Sequence, residues 1–511
     1  MAIRTGAEYL AGLRDGREVY LDGKRVDDVT DVATFGSIAH TIAGLYDKAH
    51  TDEYRDALTF EGADGARVNA AWFLPHTRAD VEWRRAATEV ISRESGGLFG
   101  RTPQYVALFF LGMLDMIGEF SGHQEQYQRN IRDYIAEVRE KDLALSHAFV
   151  DVQADAGVEV DDTVVPKVVS RNDEGVTVRG VKTVATFAPH ADEILVGVYP
   201  RAGLKDHHVL YFAVPIDTPG VRIVARTVNG NGNAFDRPVS AFGDENDAML
   251  VLDDVFVPWE RVFSPIEDPR FCAHVFPRIS EWAHWDILVR LAVKAEVLTG
   301  LFALIPEMIG RAKQPQSVEA LGESVRYLTG LRAFIYAAED RGQVTPGGHF
   351  LPDPAIVTAG RAYSVESYRR IIGHLQDITS QGLINVPTLG TFQSPVVGPT
   401  IEAMLSTAQV DARDRARITR LAADLVSDSY AGRQTLFELF NALPFAAQRG
   451  QLVAMFDTRP YKDLARATAG VGSLPDAQRA VAAATANVLP DYDLLGDAYQ
   501  SHGGRRAESV A

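Results

Sequence analysis

The sequence predicts an α+β protein in three blocks: a mostly helical block over residues 1–149, a β-rich block over 150–265 and a helical bundle over 266–511. Three observations carry this prediction. Apolar residues recur at helical spacing early and late in the chain, as in Ile287, Leu288, Leu291, Ala292, Ala295 and Leu298. Short β-branched runs are confined to the middle, at 176–180, 194–199, 209–214, 221–228 and 248–257, with Gly, Pro, Asn and Asp between them. A chain of 511 residues also exceeds what one small core accommodates.

The first local signal is Asp22-Gly23, set between Val19-Tyr20-Leu21 and Lys24-Arg25-Val26. Both turn residues tolerate positive φ, so the segment reads as a β-hairpin. Tyr134, Ile135, Val138 and Leu143 lie among charges as one face of an amphipathic helix would. The even spacing of the central runs predicts an antiparallel sandwich or barrel. After Pro277, the Ile287 series and the later Ile418, Leu421, Ala422, Leu425 and Val426 mark helices with one apolar side, which pack as a bundle. Loops are expected at 345–354 and 381–399, and a polar tail from Ser501.

Composition narrows the function classes. Hydrophobic residues make up 46% and charged residues 23%, the balance of a globular protein. A net charge of −17 would repel a phosphate backbone, so nucleic acid is not an expected partner. Cys272 is the sole cysteine, which leaves nothing for an intrachain disulfide or a cysteine-held cluster. The most apolar stretches, 105–120 and 297–305, fall short of the roughly 20 residues that span a bilayer. No long apolar run follows the N-terminal arginine. The expectation is a cytoplasmic protein without a membrane partner.

Missing motifs exclude further classes. Gly470-Val471-Gly472 lacks the third glycine of a dinucleotide fingerprint and has no βαβ setting, and 229–233 reads as a turn. There is no Walker loop, no HExxH and no GxSxG elbow. A self-sufficient NAD(P)H enzyme, a P-loop NTPase and a zinc hydrolase are therefore not expected, and no metal site is assigned.

A series of ordered segments carries a family resemblance. They are Leu13-Arg14-Asp15-Gly16-Arg17-Glu18-Val19-Tyr20, Gly100-Arg101-Thr102-Pro103-Gln104-Tyr105, His147-Ala148-Phe149-Val150, Gly180-Val181-Lys182-Thr183-Val184-Ala185-Thr186, Asp244-Glu245-Asn246-Asp247, Pro258-Trp259-Glu260, Arg290-Leu291-Ala292-Val293-Lys294 and Gly432-Arg433. Together they resemble the oxygenase component of the 4-hydroxyphenylacetate 3-hydroxylase family. The stretch 258–310, with Arg278 and His284, is similar to the chlorophenol and nitrophenol monooxygenases of that family. The resemblance implies an acyl-CoA dehydrogenase-like fold, a homotetramer, and FADH2 delivered by a separate NAD(P)H:flavin reductase. It further implies O2 as co-substrate and a phenolic substrate, free or carrier-linked, hydroxylated through a flavin C4a-hydroperoxide.

Such chemistry requires a dry site and a stabilised phenolate. A cation beside the phenol oxygen favours the ionised form, and a histidine can take the proton. On the resemblance, Arg101, Tyr105 and His147 match phenol-binding positions, and His284 matches the base of the chlorophenol branch. The sequence thus carries two candidate bases. Trp282 and Trp285 flank His284 and are expected to shape an aromatic pocket. Gln153, Thr186, Arg226, Asp247 and Arg433 match flavin-contacting positions, with Thr186 near the flavin N5 and the two arginines toward the pyrophosphate. Ala156 departs from the pattern, standing where relatives place an arginine. The branch with an iron–sulfur cluster, 4-hydroxybutyryl-CoA dehydratase, needs several cysteine ligands and is set aside because Cys272 stands alone. An acyl-CoA-type flavin oxidase or dehydrogenase is the alternative; it would need a carboxylate beside N5 and a pantetheine channel.

Overall fold

Asp22 and Gly23 both take positive φ, 50° and 76°, and close the hairpin of β1 (Glu18–Leu21) and β2 (Lys24–Val26) as a turn with left-handed residues should. The structure is a computed structural model. It describes residues 3–484 except 64, 117–124, 154–157, 161–162, 201–202, 209, 231, 265–268 and 442–444. The expected polar tail and Ala156 lie outside the described residues.

The first block is helical: α1 (Gly6–Gly12), α2 (Val32–Phe35), α3 (Ile38–Lys48), α4 (Arg55–Leu58), α5 (Arg78–Glu94), α6 (Ala107–Met116) and α7 (Glu125–Lys141). Capping boxes start α1 at Thr5/Glu8 and α5 at Thr77/Asp80, satisfying N–H groups that have no partner inside the helix. On α7 the buried face is Ile131, Tyr134 and Val138, while Leu143 lies past the helix end. A small hairpin, β3 (Thr59–Glu61) and β4 (Arg67–Asn69), interrupts the helices where none was expected.

The central strands are β5 (Leu145–Ala148), β6 (Val150–Asp151), β7 (Lys167–Arg171), β8 (Gly175–Val184), β9 (Glu193–Val196), β10 (Phe212–Pro215), β11 (Val221–Ala225) and β12 (Ala248–Pro258). One sheet runs β2-β1-β11-β12-β8-β6, with β7 also on β8; a second runs β10-β9-β5. The pairings are antiparallel except β1 with β11 and β5 with β9. Both parallel partners arrive from the first block, so the sheet recruits chain outside the 150–265 segment. Along β11 the pattern alternates, with Val221, Ile223 and Ala225 buried, because one sheet face meets the core and the other water.

After α8 (Ser240–Gly243) the chain enters α9 (Pro269–Met308), whose Ile287, Leu288, Leu291, Ala292, Ala295 and Leu298 are all buried. Against it pack α10 (Pro315–Asp340), α11 (Pro354–Thr379) and α14 (Ala412–Val426). The segment expected as a loop at 381–399 contains α12 (Leu389–Gln393) and leads into α13 (Gly398–Leu405). Phe392 is buried against Phe235 there, so tertiary packing overrides the local Pro and Gly signals. Likewise 345–354 is the turn of a short hairpin, β13 (Gln343–Val344) with β14 (Phe350–Leu351). The bundle ends with α15 (Ser429–Phe440), α16 (Phe445–Met455), α17 (Arg459–Thr468) and α18 (Leu474–Ala484). No described helix is long and apolar enough to cross a membrane.

Candidate active site

The segment after α5 is held tightly on two sides. A Cβ on Gly97 would strike the backbone of Lys294, so only glycine lets this chain lie against α9. From the other side, buried Glu245 accepts the backbone N–H of Gly100 at 3.0 Å and that of Arg101. Arg101 is thereby fixed just before the 3-10 turn Pro103–Val106 that leads into α6. Arg101 and Tyr105 do not share a helical face. They meet by stacking, with the guanidinium carbon 4.3 Å from the Tyr105 ring centroid. The same guanidinium donates from Nη1 to the Gly100 carbonyl at 2.8 Å and from Nη2 to the Asn441 carbonyl at 2.9 Å.

Arg101, Tyr105, His147 and His284 all line one cavity. Tyr105 comes from the Pro103 turn, Arg101 from the segment just before it, His147 from β5 and His284 from α9. The aromatic walls are Phe109, Phe149, Tyr199 and Phe276. His147 packs edge-on against Phe109 at 4.8 Å and Phe149 at 5.7 Å, and its Nδ1 has no hydrogen-bond partner among the described residues. Burial, then the charge of Arg101, holds its imidazole well below the usual pKa. Burial, then Arg361 and Arg101, pushes His284 down to about 3. Both rings are therefore uncharged at neutral pH, and each is a weaker base than an exposed imidazole until an anion beside it stabilises the imidazolium. Burial raises the Tyr105 phenol, which stays protonated.

Trp282 and Trp285 do not shape this pocket. They are fully buried in the helical core, where the Trp285 indole donates to Glu339 at 3.3 Å. Each helical residue is turned by about 100° from the one before, so residues one or two positions from His284 face other directions and are not its neighbours in the cavity.

The candidate flavin residues form a second cluster. Asp247 accepts from Thr186 Oγ1 at 2.7 Å, from Arg226 Nε at 3.0 Å, and from Arg433 Nε and Nη2 at 2.8 and 2.7 Å. Burial works against its charge, but Arg433 and then Arg226 hold its carboxyl far below the usual range. Arg226 also forks onto Asp244, and Arg433 reaches Glu245 at 3.4 Å. Most donors of both arginines are thus taken by carboxylates. Gln153 is exposed and makes none of these hydrogen bonds; it lies next to the undescribed residues 154–157.

Three residues outside the sequence-derived set join the two halves. Glu245 touches both Arg101 and Arg433. Phe437 lies under the guanidiniums of Arg433 at 4.7 Å and Arg101 at 5.0 Å, and a Cβ on Gly100 would collide with its ring. Asn441 lines the cavity that holds Arg101 and His147. Arg433, Phe437 and Asn441 follow at four-residue steps along α15, a spacing visible in the sequence.

Family models for 4-hydroxyphenylacetate 3-hydroxylase match this chain across both blocks, the N-terminal model over residues 5–264 and the C-terminal model over 272–470. The chain belongs to the 4-hydroxyphenylacetate 3-hydroxylase family. It is 35% identical to a 4-nitrophenol 4-monooxygenase/4-nitrocatechol 2-monooxygenase oxygenase component of Rhodococcus opacus, over 99% of this chain and 98% of that protein. A 2,4,6-trichlorophenol monooxygenase of Cupriavidus pinatubonensis is 31% identical over 92% of this chain and 93% of its own length. Among solved structures, the oxygenase component of 4-hydroxyphenylacetate 3-monooxygenase complexed with FAD superposes with a TM-score of 0.86 at 31% identity, covering 91% of this chain and 98% of that one. As a member of the 4-hydroxyphenylacetate 3-hydroxylase family, the chain is an FAD-dependent monooxygenase, the oxygenase component of a two-component system acting on phenols.

A 4-hydroxybutyryl-CoA dehydratase shares the fold at 22% identity and a TM-score of 0.83. Cys272 here is buried, donates to the Val198 carbonyl at 3.3 Å, and is pushed up to about 12 by burial. No group of potential metal ligands occurs among the described residues.

The Asp247 cluster suits the flavin chemically. Ionised Asp247 only accepts hydrogen bonds, so the Thr186 proton is committed to it and a hydroxyl lone pair is left over. Reduced flavin carries an N–H at N5, the group such a lone pair would accept.

Proposed function

We propose that the cavity holds a single-ring phenol as its phenolate, with the oxygen against Arg101, and that nitrophenols or chlorophenols are its substrates. The observation that carries this is the convergence of Arg101, Tyr105, His147 and His284 on one aromatic-walled cavity that no carboxylate lines among the described residues. The Rhodococcus and Cupriavidus relatives point to the substrate class. Reduced FAD, supplied by a separate NAD(P)H-dependent flavin reductase, provides with O2 the electrophilic oxygen.

The protein's own residues do the rest. Arg101 lowers the phenol pKa; an adjacent cation does so by about 1–3 units. His147 takes the phenolic proton, and Tyr105 donates to the oxygen that remains. His284 faces the same cavity as a competing acceptor. Thr186, its proton held by Asp247, would accept a hydrogen bond from reduced flavin. Arg226 and Arg433 keep Asp247 ionised, and Glu245 and Phe437 fix the distance between flavin and phenol sites. The aromatic walls exclude water, which strengthens the pull of Arg101 on the phenolate.

The test is a set of variants supplied with FADH2 and scored for hydroxylated phenol and for H2O2. Arg101→Ala and the variant lacking the true base should still consume FADH2 but release H2O2, with product down about 100-fold or more. If neither His147→Ala nor His284→Ala uncouples product from flavin oxidation, the proton assignment falls.

A further inference from the structure

Asn441 is the C-terminal cap of α15 and lines the cavity between the two arginines that matter most there. Its backbone carbonyl accepts Arg101 Nη2 at 2.9 Å. Its side-chain Oδ1 accepts Arg361 Nη2 at 2.6 Å. A guanidinium has donors only, so the atom facing Arg361 must be the oxygen and the amide cannot be flipped. The Nδ2 group is then forced to the other side. It is buried and has no hydrogen-bond partner among the described residues.

A buried amide donor without an acceptor is unusual and points to a partner that arrives from outside the chain. The surroundings define that partner. Arg101 and Tyr105 face it from the Pro103 turn, His147 from β5, His284 from α9, and Arg361 stands behind on α11. Arg361 is itself fully buried and further anchored on Ser364 at 3.1 Å. Two cations, two neutral imidazoles and a phenol make this end of the cavity a site for an anionic oxygen.

We propose that Asn441 Nδ2 donates a hydrogen bond to the phenolate oxygen of the bound substrate, beside Arg101, and so is a catalytic residue for the hydroxylation. This rests on the reading of the cavity as a phenolate site. Arg361 acts through Asn441 as a positioning residue. Because its role in anchoring Arg101 runs through the backbone carbonyl, a side-chain change at 441 leaves that anchor in place.

The experiment uses 4-nitrophenol, whose ionised form absorbs visibly, bound to the full chain without turnover. Wild type should hold it as the phenolate at a pH below the pKa of the free compound. Asn441→Ala should raise the bound pKa by about half to one unit. Asn441→Asp, which keeps the volume but exchanges a donor for a carboxylate, should raise it further, and it serves if the alanine variant folds poorly. Asn441→Ser, with a hydroxyl donor, should recover part of the shift. Arg101→Ala supplies the reference. If Arg101→Ala raises the bound pKa and neither Asn441→Ala nor Asn441→Asp does, the proposal is overturned and the phenolate reading stands. If Arg101→Ala also leaves it unmoved, the phenolate reading falls and the proposal with it. A variant that loses FADH2 binding while the nitrophenol pKa stays put likewise overturns it.

Discussion

Asp247 gathers four hydrogen bonds and two guanidinium charges, and through them sets the polarity of the Thr186 hydroxyl. A threonine whose proton is spoken for accepts from an N–H and repels a lone pair. Oxidised flavin presents a lone pair at N5, reduced flavin an N–H. Asp247→Asn frees the hydroxyl to donate, and the preference for FADH2 over FAD should fall about tenfold, or ~1.4 kcal/mol. Parallel binding titrations with oxidised FAD in air and FADH2 under anaerobic conditions measure this. Equal weakening of both forms would mean that Asp247 only holds the arginines.

At the scale of elements, α15 ties the site together. One stripe, Arg433, Phe437 and Asn441, joins the Asp247 cluster to the cavity lined by Arg101, while the adjacent Gln434 and Glu438 turn toward α9. Glu438 accepts Arg290 at 2.6 and 2.8 Å and Lys294 at 2.9 Å, all buried. Burial opposes its charge, yet Arg290 and then Lys294 hold the carboxyl well below its ordinary pKa. Burial in turn lowers Lys294 to about 8, with Glu438 working the other way. Removing the shared anion would strand two cations away from water. Glu438→Gln is expected to cost ~3–5 kcal/mol, read as a lower thermal midpoint at neutral pH together with weaker flavin binding. An unchanged midpoint would show that the network is not needed to dock α15 on α9. Packing of this kind was hidden in the sequence. A helix whose residues at every fourth position are Arg, Phe and Asn reads as an ordinary half-buried face until its partner is known, so the spacing by itself does not single out Phe437 and Asn441.

Across the whole molecule, the first block is stitched to the sheet by His190. Its Nε2 meets the Val29 carbonyl at 3.0 Å, its own carbonyl accepts the Tyr9 hydroxyl at 2.8 Å, and its ring lies edge-on to Phe35 at 5.2 Å. Burial pushes its pKa down to about 3, with the Val29 hydrogen bond only partly offsetting this. The unfolded chain binds a proton here below about pH 6.5 that the folded chain refuses until about pH 3. His190 therefore draws stability away as pH falls through that window and contributes no slope above it. His190→Gln, which still offers a donor to Val29, should flatten the pH dependence of the unfolding free energy between those limits by about one proton, or ~1.4 kcal/mol per pH unit. Identical slopes for variant and wild type would place the imidazole in a wetter environment.

What the sequence discloses at this scale follows how local each interaction is. Asp22-Gly23 sets its hairpin within four residues and was legible. The buried seam of α9 was legible because one element carries it. The parallel pairing of β5 with β9 was not, since its register is chosen by a strand far along the chain. The convergence of Arg101, Tyr105, His147 and His284 came from family resemblance, because no spacing within the sequence brings those positions together.

The measurement that bears most directly on the account is a single turnover. Purified protein loaded with FADH2 and 4-nitrophenol is mixed with O2, and hydroxylated product and H2O2 are counted per flavin oxidised. The account predicts that product accounts for most of the flavin and that peroxide is the minor share. Peroxide alone, with nitrophenols, chlorophenols and unsubstituted phenol alike, would contradict it.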